Sequence, residues 1–408
     1  MGMVRRDFLR GAALGTLLAA LPPGARIALG ATTGTKDALL FVILRGGMDG
    51  LNLLAPVDDA NLNAARPKTL LPATGFPLAN GLTKQDWRLH PSAPELQALY
   101  QAGHLALVPA SGTPAASRSH FEMQQLAECG VTDLNITSQF GGWVGRYANA
   151  TAVEGTFAAM ACGEATLPLS ISDDLSALCI ANAASFAVSS AQKLAFLEQE
   201  YGAAAITARG LAGALARQAM AGVNAVQRFE TINSGYVRPA TYGTDTLATG
   251  LAIAAELMKQ GAGLQLGVFE YDNWDTHVNQ EARFAPAVAI LSQALGAFWN
   301  DINSTTTAGV TLIVMSEFGR RIVSNASGGT DHGHGNVMLV LSNAVAGGRM
   351  YGAWPGLAPA ETDLGDVAIT TDARQVILEA ITARRHDAPA NLFPGLQVQR
   401  PLNLFAAH

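Results

Sequence analysis

The sequence predicts an α/β protein with a mostly parallel central sheet covered by helices on both faces, and three observations carry that expectation. Continuous apolar runs at 38–44 (ALLFVIL), 104–109 (HLALVP), 264–270 (LQLGVFE), 309–315 (GVTLIVM) and 337–341 (VMLVL) lack the alternation of a half-wet strand. Each reads as a strand buried on both faces. Helical patterns separate these runs, as parallel strands require. With 408 residues, 49% hydrophobic and 14% charged, the chain has apolar mass for a large core. The same composition excludes a disordered chain, a disulfide-dense scaffold and a basic nucleic-acid binder.

Taken in order, the N-terminus comes first. Val4-Arg5-Arg6-Asp7-Phe8-Leu9-Arg10 followed by a mildly apolar Gly11–Leu21 and Pro22-Pro23 resembles a twin-arginine export signal. Small residues at Ala28-Leu29-Gly30 set the expected cleavage near Gly30 or Ala31. The expected partner is therefore the twin-arginine export machinery, and the expected location periplasmic or secreted. Removing residues 1–30 leaves 22 basic against 31 acidic residues, a net charge of −9 that suits no nucleic acid. No later apolar run approaches the ~18 residues of a spanning helix, so no stable membrane anchor is expected. Cys129, Cys162 and Cys179 lack CxxC spacing and allow one disulfide at most.

Residues 31–408 read as one domain. The Pro-, Gly- and Asn-rich stretch 56–91 reads as an extended surface loop beside a substrate entrance. The Ala-rich stretch of about 190–260 reads as a helical insert, with helices at 203–228 and 244–260 and a break at Asn233-Ser234-Gly235.

Ligands of open parallel sheets bind beyond the carboxyl ends of the strands, and the scarce polar residues gather there. Asp49 follows the first strand in GGMDG, where the glycines permit a sharp turn and an outward carboxylate, or an ordinary turn Asp. Asp275 and His277, two apart after the strand at 264–270, can reach one cation from an extended backbone, although Asp275 could also cap a helix. Glu317, Arg320 and Arg321 follow the strand at 309–315. Their guanidinium groups suit phosphate or sulfate, or an ion pair with Glu317. Asp331, His332 and His334, bracketed by glycines in GGTDHGHG, form the densest metal-ligand signal. Four of the eight histidines, counting His120 and His277, fall in these segments. Ser117-Arg118-Ser119-His120-Phe121-Glu122 opens a helix, where Ser119 and Glu122 form a capping box and Ser119 can also serve as a nucleophile.

With RGGMDGLN at 45–52, SHF at 119–121, WDTH at 274–277, SEFGR at 316–320 and GTDHGHG at 329–335, the chain resembles the DUF1501 family of the alkaline phosphatase-like superfamily. The resemblance implies a three-layer sandwich and a strand-end centre of divalent ions, zinc or similar. Its ligands would come from Asp49, Asp275, His277, Glu317, Asp331, His332 and His334. It implies Ser119 as the nucleophile, with Ser117 and Thr113 as competitors, and Arg118 or Arg320 holding the transferred group. The substrate would be a small-molecule or polymer ester of phosphate or a related acid. Phe318 stands where alkaline phosphatases place a histidine, which puts the second metal in doubt. Ser111 to Arg118 does not fit the formylglycine pattern, so such a sulfatase is disfavoured. The alternative is a non-catalytic periplasmic binding or assembly protein on the same fold.

Overall fold

The computed structural model describes residues 37–405 apart from 68–70, 175–176, 188–189, 240, 304–308 and 399. The expected export signal at 1–30 lies outside the described residues. All five apolar runs are strands of one sheet: β1 (Ala38–Leu44), β2 (Leu105–Gly112), β5 (Leu266–Tyr271), β6 (Val310–Ser316) and β9 (Asn336–Ser342). Two shorter strands, β3 (Ala159–Cys162) and β4 (Leu178–Ile180), extend the sheet, and β7 (Arg320–Ser324) pairs with β8 (Thr330–His332) in a hairpin outside it. The sheet order is β2-β9-β6-β1-β5-β3-β4, with the short strand Arg349–Met350 beyond β2.

Only β9 among these labelled sheet strands runs against the rest, antiparallel to both β2 and β6. That reversal matters for the site, because it brings the segment before β9 to the same edge as the carboxyl ends of the parallel strands.

Strand β1 shows why the runs are continuous. Leu40, Val42 and Leu44 enter one apolar cluster and Leu39, Phe41 and Ile43 the opposite one, so neither face tolerates a polar residue. The first cluster is covered by α4 (Thr246–Lys259) and α5 (Gln280–Asn303), the second by Trp143–Ala150 and α6 (Ala373–Arg385). The result is the expected three-layer α/β sandwich with a mostly parallel sheet.

Two expectations need correction. The stretch 56–91 is not an extended loop: it holds a helix at Ala60–Ala65 and two strands, Phe76–Pro77 and Trp87–Leu89, and the latter pairs with both Phe76–Pro77 and Leu54–Pro56 in a small antiparallel sheet. Trp87 and Leu89 alternate with Arg88 and are buried, and Trp87 meets the Trp354 ring edge-on at 4.9 Å. The insert contains an extra break, since α2 (Ala191–Thr207) ends before α3 (Gly210–Ser234) begins, within the stretch expected to be continuous at 203–228. The break expected at Asn233–Gly235 is where α3 ends. The limit of one disulfide at most stands: Ala161 pairs with Cys179 and Cys162 with Ile180 across β3 and β4, so these two cysteines face opposite sides of the sheet, and all three cysteines are free. Among the described residues no helix is long and apolar enough to cross a membrane.

Candidate metal centre

The site is built by strand ends. After β1 the chain turns at Gly46 and Gly47, both at positive φ, and a Cβ on Gly46 would lie 2.6 Å from the Asp275 amide. Only glycine lets the two strand-end loops approach this closely. Asp275 and His277 follow β5, Glu317 follows β6, and His332 closes β8 in the loop that leads to the reversed β9. His120 is the first residue of α1 (His120–Cys129), whose N-cap is Ser119.

His120, Asp275 and His332 bring one ligand atom each to within 4.8 Å of one another, a group that could hold a metal ion. The Asp275 Oδ1 lies 3.6 Å from His120 Nε2, 3.6 Å from His332 Nε2 and 3.1 Å from His277 Nε2. His277 Nε2 and His332 Nε2 are 2.8 Å apart.

The opposite ring nitrogens explain what these atoms are. His120 Nδ1 donates to Glu317 Oε1 at 2.8 Å, His277 Nδ1 to Asp331 Oδ1 at 2.9 Å, and His332 Nδ1 to the Arg118 carbonyl at 2.7 Å. Carboxylates and carbonyls only accept, so each Nδ1 carries a proton, and a ring with no second proton turns an Nε2 lone pair inward. Three lone pairs and a carboxylate oxygen then converge, with His120 Nε2 buried and lacking a hydrogen-bond partner. Facing lone pairs repel unless a cation lies among them, and metal-bound histidines characteristically donate their other N–H to carboxylates or carbonyls. The donor set of imidazole and carboxylate suits zinc or a similar divalent ion. The residues therefore fit such an ion.

The surroundings keep the carboxylates of the site ionised and act on His332 as well. Burial alone would raise Glu317, but hydrogen bonds from His120, Gln124 and Gly46 outweigh it and keep its carboxyl below the usual range. Asp275 is likewise raised by burial and lowered further by Arg320, His277 and His120, with a net decrease. Hydrogen bonds from Asn325 and His277 lower Asp331. Burial lowers His332, against the Arg118 carbonyl, and so favours its neutral, ligating form. Phe318 packs on the rings of His120 and His332, each centroid 4.9 Å away, as an apolar support.

The other expected residues stand elsewhere or act differently. Asp49 faces inward, not outward: it is fully buried, and its Oδ2 accepts from Arg66 Nη1 at 2.7 Å and Gln280 Nε2 at 2.6 Å. Its positive partner is a guanidinium, because the buried Arg66 side chain reaches it from the helix at 60–65 while donating to the Ile322 and Arg321 carbonyls. Glu317 and Asp331 orient histidines, as described. His334 Nδ1 donates to Asp363, and His334 is not among the three residues that bring ligand atoms together. Arg320 is buried and spends its donors on the Gly46, Gly47, Trp274 and Thr330 carbonyls and on Asp275 Oδ1 at 2.6 Å, so it clamps three loops together. Arg118 pairs with Asp366 at 2.7 Å. Both guanidinium groups are thus ion-paired to carboxylates of this chain.

Ser119 is the N-cap of α1, but its side chain makes no capping bond, and the Ser117 hydroxyl stands between the other two partners, accepting from the Ser119 N–H and donating to Glu122. The expected capping box is absent. Thr113 is buried and Ser117 is committed to Glu122, which leaves Ser119 beside His120 as the available hydroxyl.

His120 is the ligand that its SHF motif did not mark as one. The signal was present, since it was a fourth histidine in a strand-end segment. Gln124, Asp363 and Asp366 gave no local pattern, because their contacts span 193 to 248 residues or follow a late loop.

Among solved structures, the chain is similar to the zinc complex of the C-terminal periplasmic domain of EcEptC from Escherichia coli, at 10% identity and a TM-score of 0.39, covering 79% of this chain and 77% of that one. It is also similar to a protein in the alkaline phosphatase superfamily from Vibrio parahaemolyticus, at 10% identity and 0.36, covering 86% and 71%. A third is the alkaline phosphatase of the Antarctic bacterium TAB5, at 9% identity and 0.30, covering 75% and 92%. No protein of curated function matches the sequence. The family model described as "Protein of unknown function (DUF1501)" matches residues 108–375, a span that contains His120, Asp275, His277 and His332, and the chain belongs to that family.

Proposed function

We propose that the protein is an exported hydrolase of phosphate or related esters that depends on one divalent cation held by His120, Asp275, His277 and His332. The observation that carries this reading is the convergence of three Nε2 lone pairs on Asp275 Oδ1, each fixed by an Nδ1–H bond to Glu317, Asp331 or the Arg118 carbonyl. Bound there, the cation supplies Lewis acidity to an ester oxygen and to a nearby hydroxyl.

The chain's own residues do the rest. Arg320 holds Asp275 in place through the 2.6 Å contact, and Glu317 fixes the His120 ring. Ser119 Oγ, without a capping bond, attacks phosphorus to form a seryl ester as the P–O bond to the alcohol breaks. The proton of the Ser119 hydroxyl passes through solvent to the leaving alkoxide, which departs as the alcohol. Water then cleaves the seryl ester and restores the hydroxyl. The N-terminal end of α1 places its field at this position, which favours the anionic group under attack. The periplasm is the proposed location, resting on the paired arginines at 5 and 6.

A second reading, a metal-holding binding or assembly protein without catalysis, is favoured by one observation. Arg320 is buried and Arg118 is paired with Asp366, so neither of the two guanidinium groups expected to hold the transferred group stands unpaired. Metal analysis of the purified protein with a screen of phosphomonoesters and phosphodiesters separates the two. The hydrolase reading expects about one equivalent of metal and turnover abolished in His120→Ala/His332→Ala. Metal without turnover on any ester supports the second reading. Metal-free protein ends both.

A further inference from the structure

We propose that Arg45 is a positioning residue of the metal centre, holding the polar face of α1 against the strand ends so that His120 presents Nε2 to the cation; this rests on the cation proposed among His120, Asp275, His277 and His332.

Arg45 follows β1 directly, and its side chain crosses to α1. There His120, Gln124 and Glu128 recur every four residues and so share one face of the helix. Arg45 Nη1 donates to Gln124 Oε1 at 2.9 Å, while Nη2 donates to Glu128 Oε1 at 2.8 Å and to Glu270 Oε1 on β5. Gln124 Nε2 passes the contact on to Glu317 Oε1 at 2.9 Å, the oxygen that also accepts from His120 Nδ1 at 2.8 Å. Glu128 is fixed from its other side, where Oε2 accepts from the Ser170 amide at 2.9 Å. The main chain of Arg45 reaches the second ligand-bearing segment. Its N–H donates to the Tyr271 carbonyl at 2.9 Å, and its carbonyl accepts at 3.3 Å from the amide of Trp274, the residue before Asp275.

Donor and acceptor chemistry gives this chain of contacts one direction. A guanidinium can only donate and the Glu317 carboxylate can only accept, so the Gln124 amide between them has a single orientation. Without Arg45 the amide oxygen loses its donor, and a turned amide would set that oxygen against the Glu317 carboxylate. Balancing the charges of Glu128 and Glu270 needs only the two ion pairs. The third contact, to a neutral amide that leads to the ligating ring, adds nothing to charge balance. The planar fork of an arginine meets all three acceptors in fixed geometry, as a lysine ammonium does not. Field and position have opposite signs here. A positive charge near a cation site weakens cation binding, so loss of Arg45 strengthens it if the side chain acts through charge alone. If the side chain acts by position, its loss weakens binding.

The test measures zinc affinity of the full-length protein by competition with a chromogenic chelator, and the visible bands of the cobalt(II)-loaded protein report ligand geometry. Arg45→Met would leave Glu128 buried without its counter-charge, so it is made together with Glu128→Gln and compared with Glu128→Gln alone. The proposal expects zinc affinity to fall about fivefold or more in the double variant, with altered bands at saturating cobalt. Gln124→Met leaves both Arg45 ion pairs in place and is expected to show a similar loss. Adding it to the double variant lowers affinity by less than about twofold further, because both changes break one chain of contacts. Unchanged or tighter zinc binding without Arg45, or losses that multiply, overturns the proposal, as does a lower Tm with unchanged affinity and cobalt bands. If the double variant does not fold, Gln124→Met decides alone, and wild-type affinity with a wild-type cobalt spectrum overturns the proposal. The cation reading fails separately, when the wild-type protein binds no zinc or His332→Ala binds it equally well.

Discussion

Replacing Glu317 by Gln removes one charge from the site and leaves the shape nearly unchanged. In the native chain Glu317 Oε1 accepts from His120 Nδ1 at 2.8 Å, Gly46 N at 2.9 Å and Gln124 Nε2 at 2.9 Å, and Oε2 accepts from Ser316 Oγ at 2.9 Å. Four donors thus converge on two oxygens. A glutamine offers one acceptor oxygen, and its NH₂ must face either the three donors or Ser316. If the amide oxygen keeps the three donors, His120 loses the negative partner that makes its Nε2 a strong donor to a cation. If the amide flips, His120 faces an N–H and its ring must turn or change tautomer. Loss of such a partner typically lowers metal affinity 10- to 100-fold, or about 1.4 to 2.7 kcal/mol. Competition of Glu317→Gln and wild type against a chromogenic zinc chelator at pH 7.5 reads this directly, with circular dichroism confirming the fold. Affinity within twofold of wild type in a folded variant would refute the assignment of Glu317 as the carboxylate that supports a ligating His120.

Other expectations follow from the same geometry. His334→Ala should retain metal while His332→Ala loses it, because His334 turns to Asp363 and His332 to the cluster; elemental analysis of both variants checks this. Arg66→Met should destabilise the fold by about 3–5 kcal/mol in urea denaturation by leaving Asp49 buried without its charge partner, and Asp49→Leu added to it should restore much of the loss. Burial pushes His90 down to about 4, below its unfolded value near 6.5. The unfolded chain therefore binds that proton first, and stability is full above pH 6.5 and falls by about 3 kcal/mol as pH drops toward 4. His90→Leu should flatten that part of the stability profile, and an unchanged slope between pH 7 and 4.5 would contradict the assignment.

The strands were legible because burial on both faces leaves a sequence-local mark: five apolar runs became five strands of one sheet. The loop expected at 56–91 was misread because Trp87-Arg88-Leu89 is too short for its alternation to outweigh the neighbouring Pro, Gly and Asn. At the site, the residue types were legible and their roles were not. Asp49, Glu317 and Asp331 carry the carboxylates that a metal centre uses, yet the fold sends Arg66 to the first and histidine N–H groups to the other two. Which carboxylate meets a cation and which meets an imidazole depends on contacts 17 to 197 residues apart, and no local spacing encodes them. The reversed direction of β9 was equally hidden, although it is what carries His332 to the strand-end edge.

The central claim is a single cation among His120, Asp275, His277 and His332. An anomalous difference map from crystals of zinc-loaded protein tests it most directly. The account predicts one peak bounded by the three Nε2 atoms and Asp275 Oδ1, with none beside Asp49. A map without that peak, or with its strongest peak at Asp49 or His334, would contradict it.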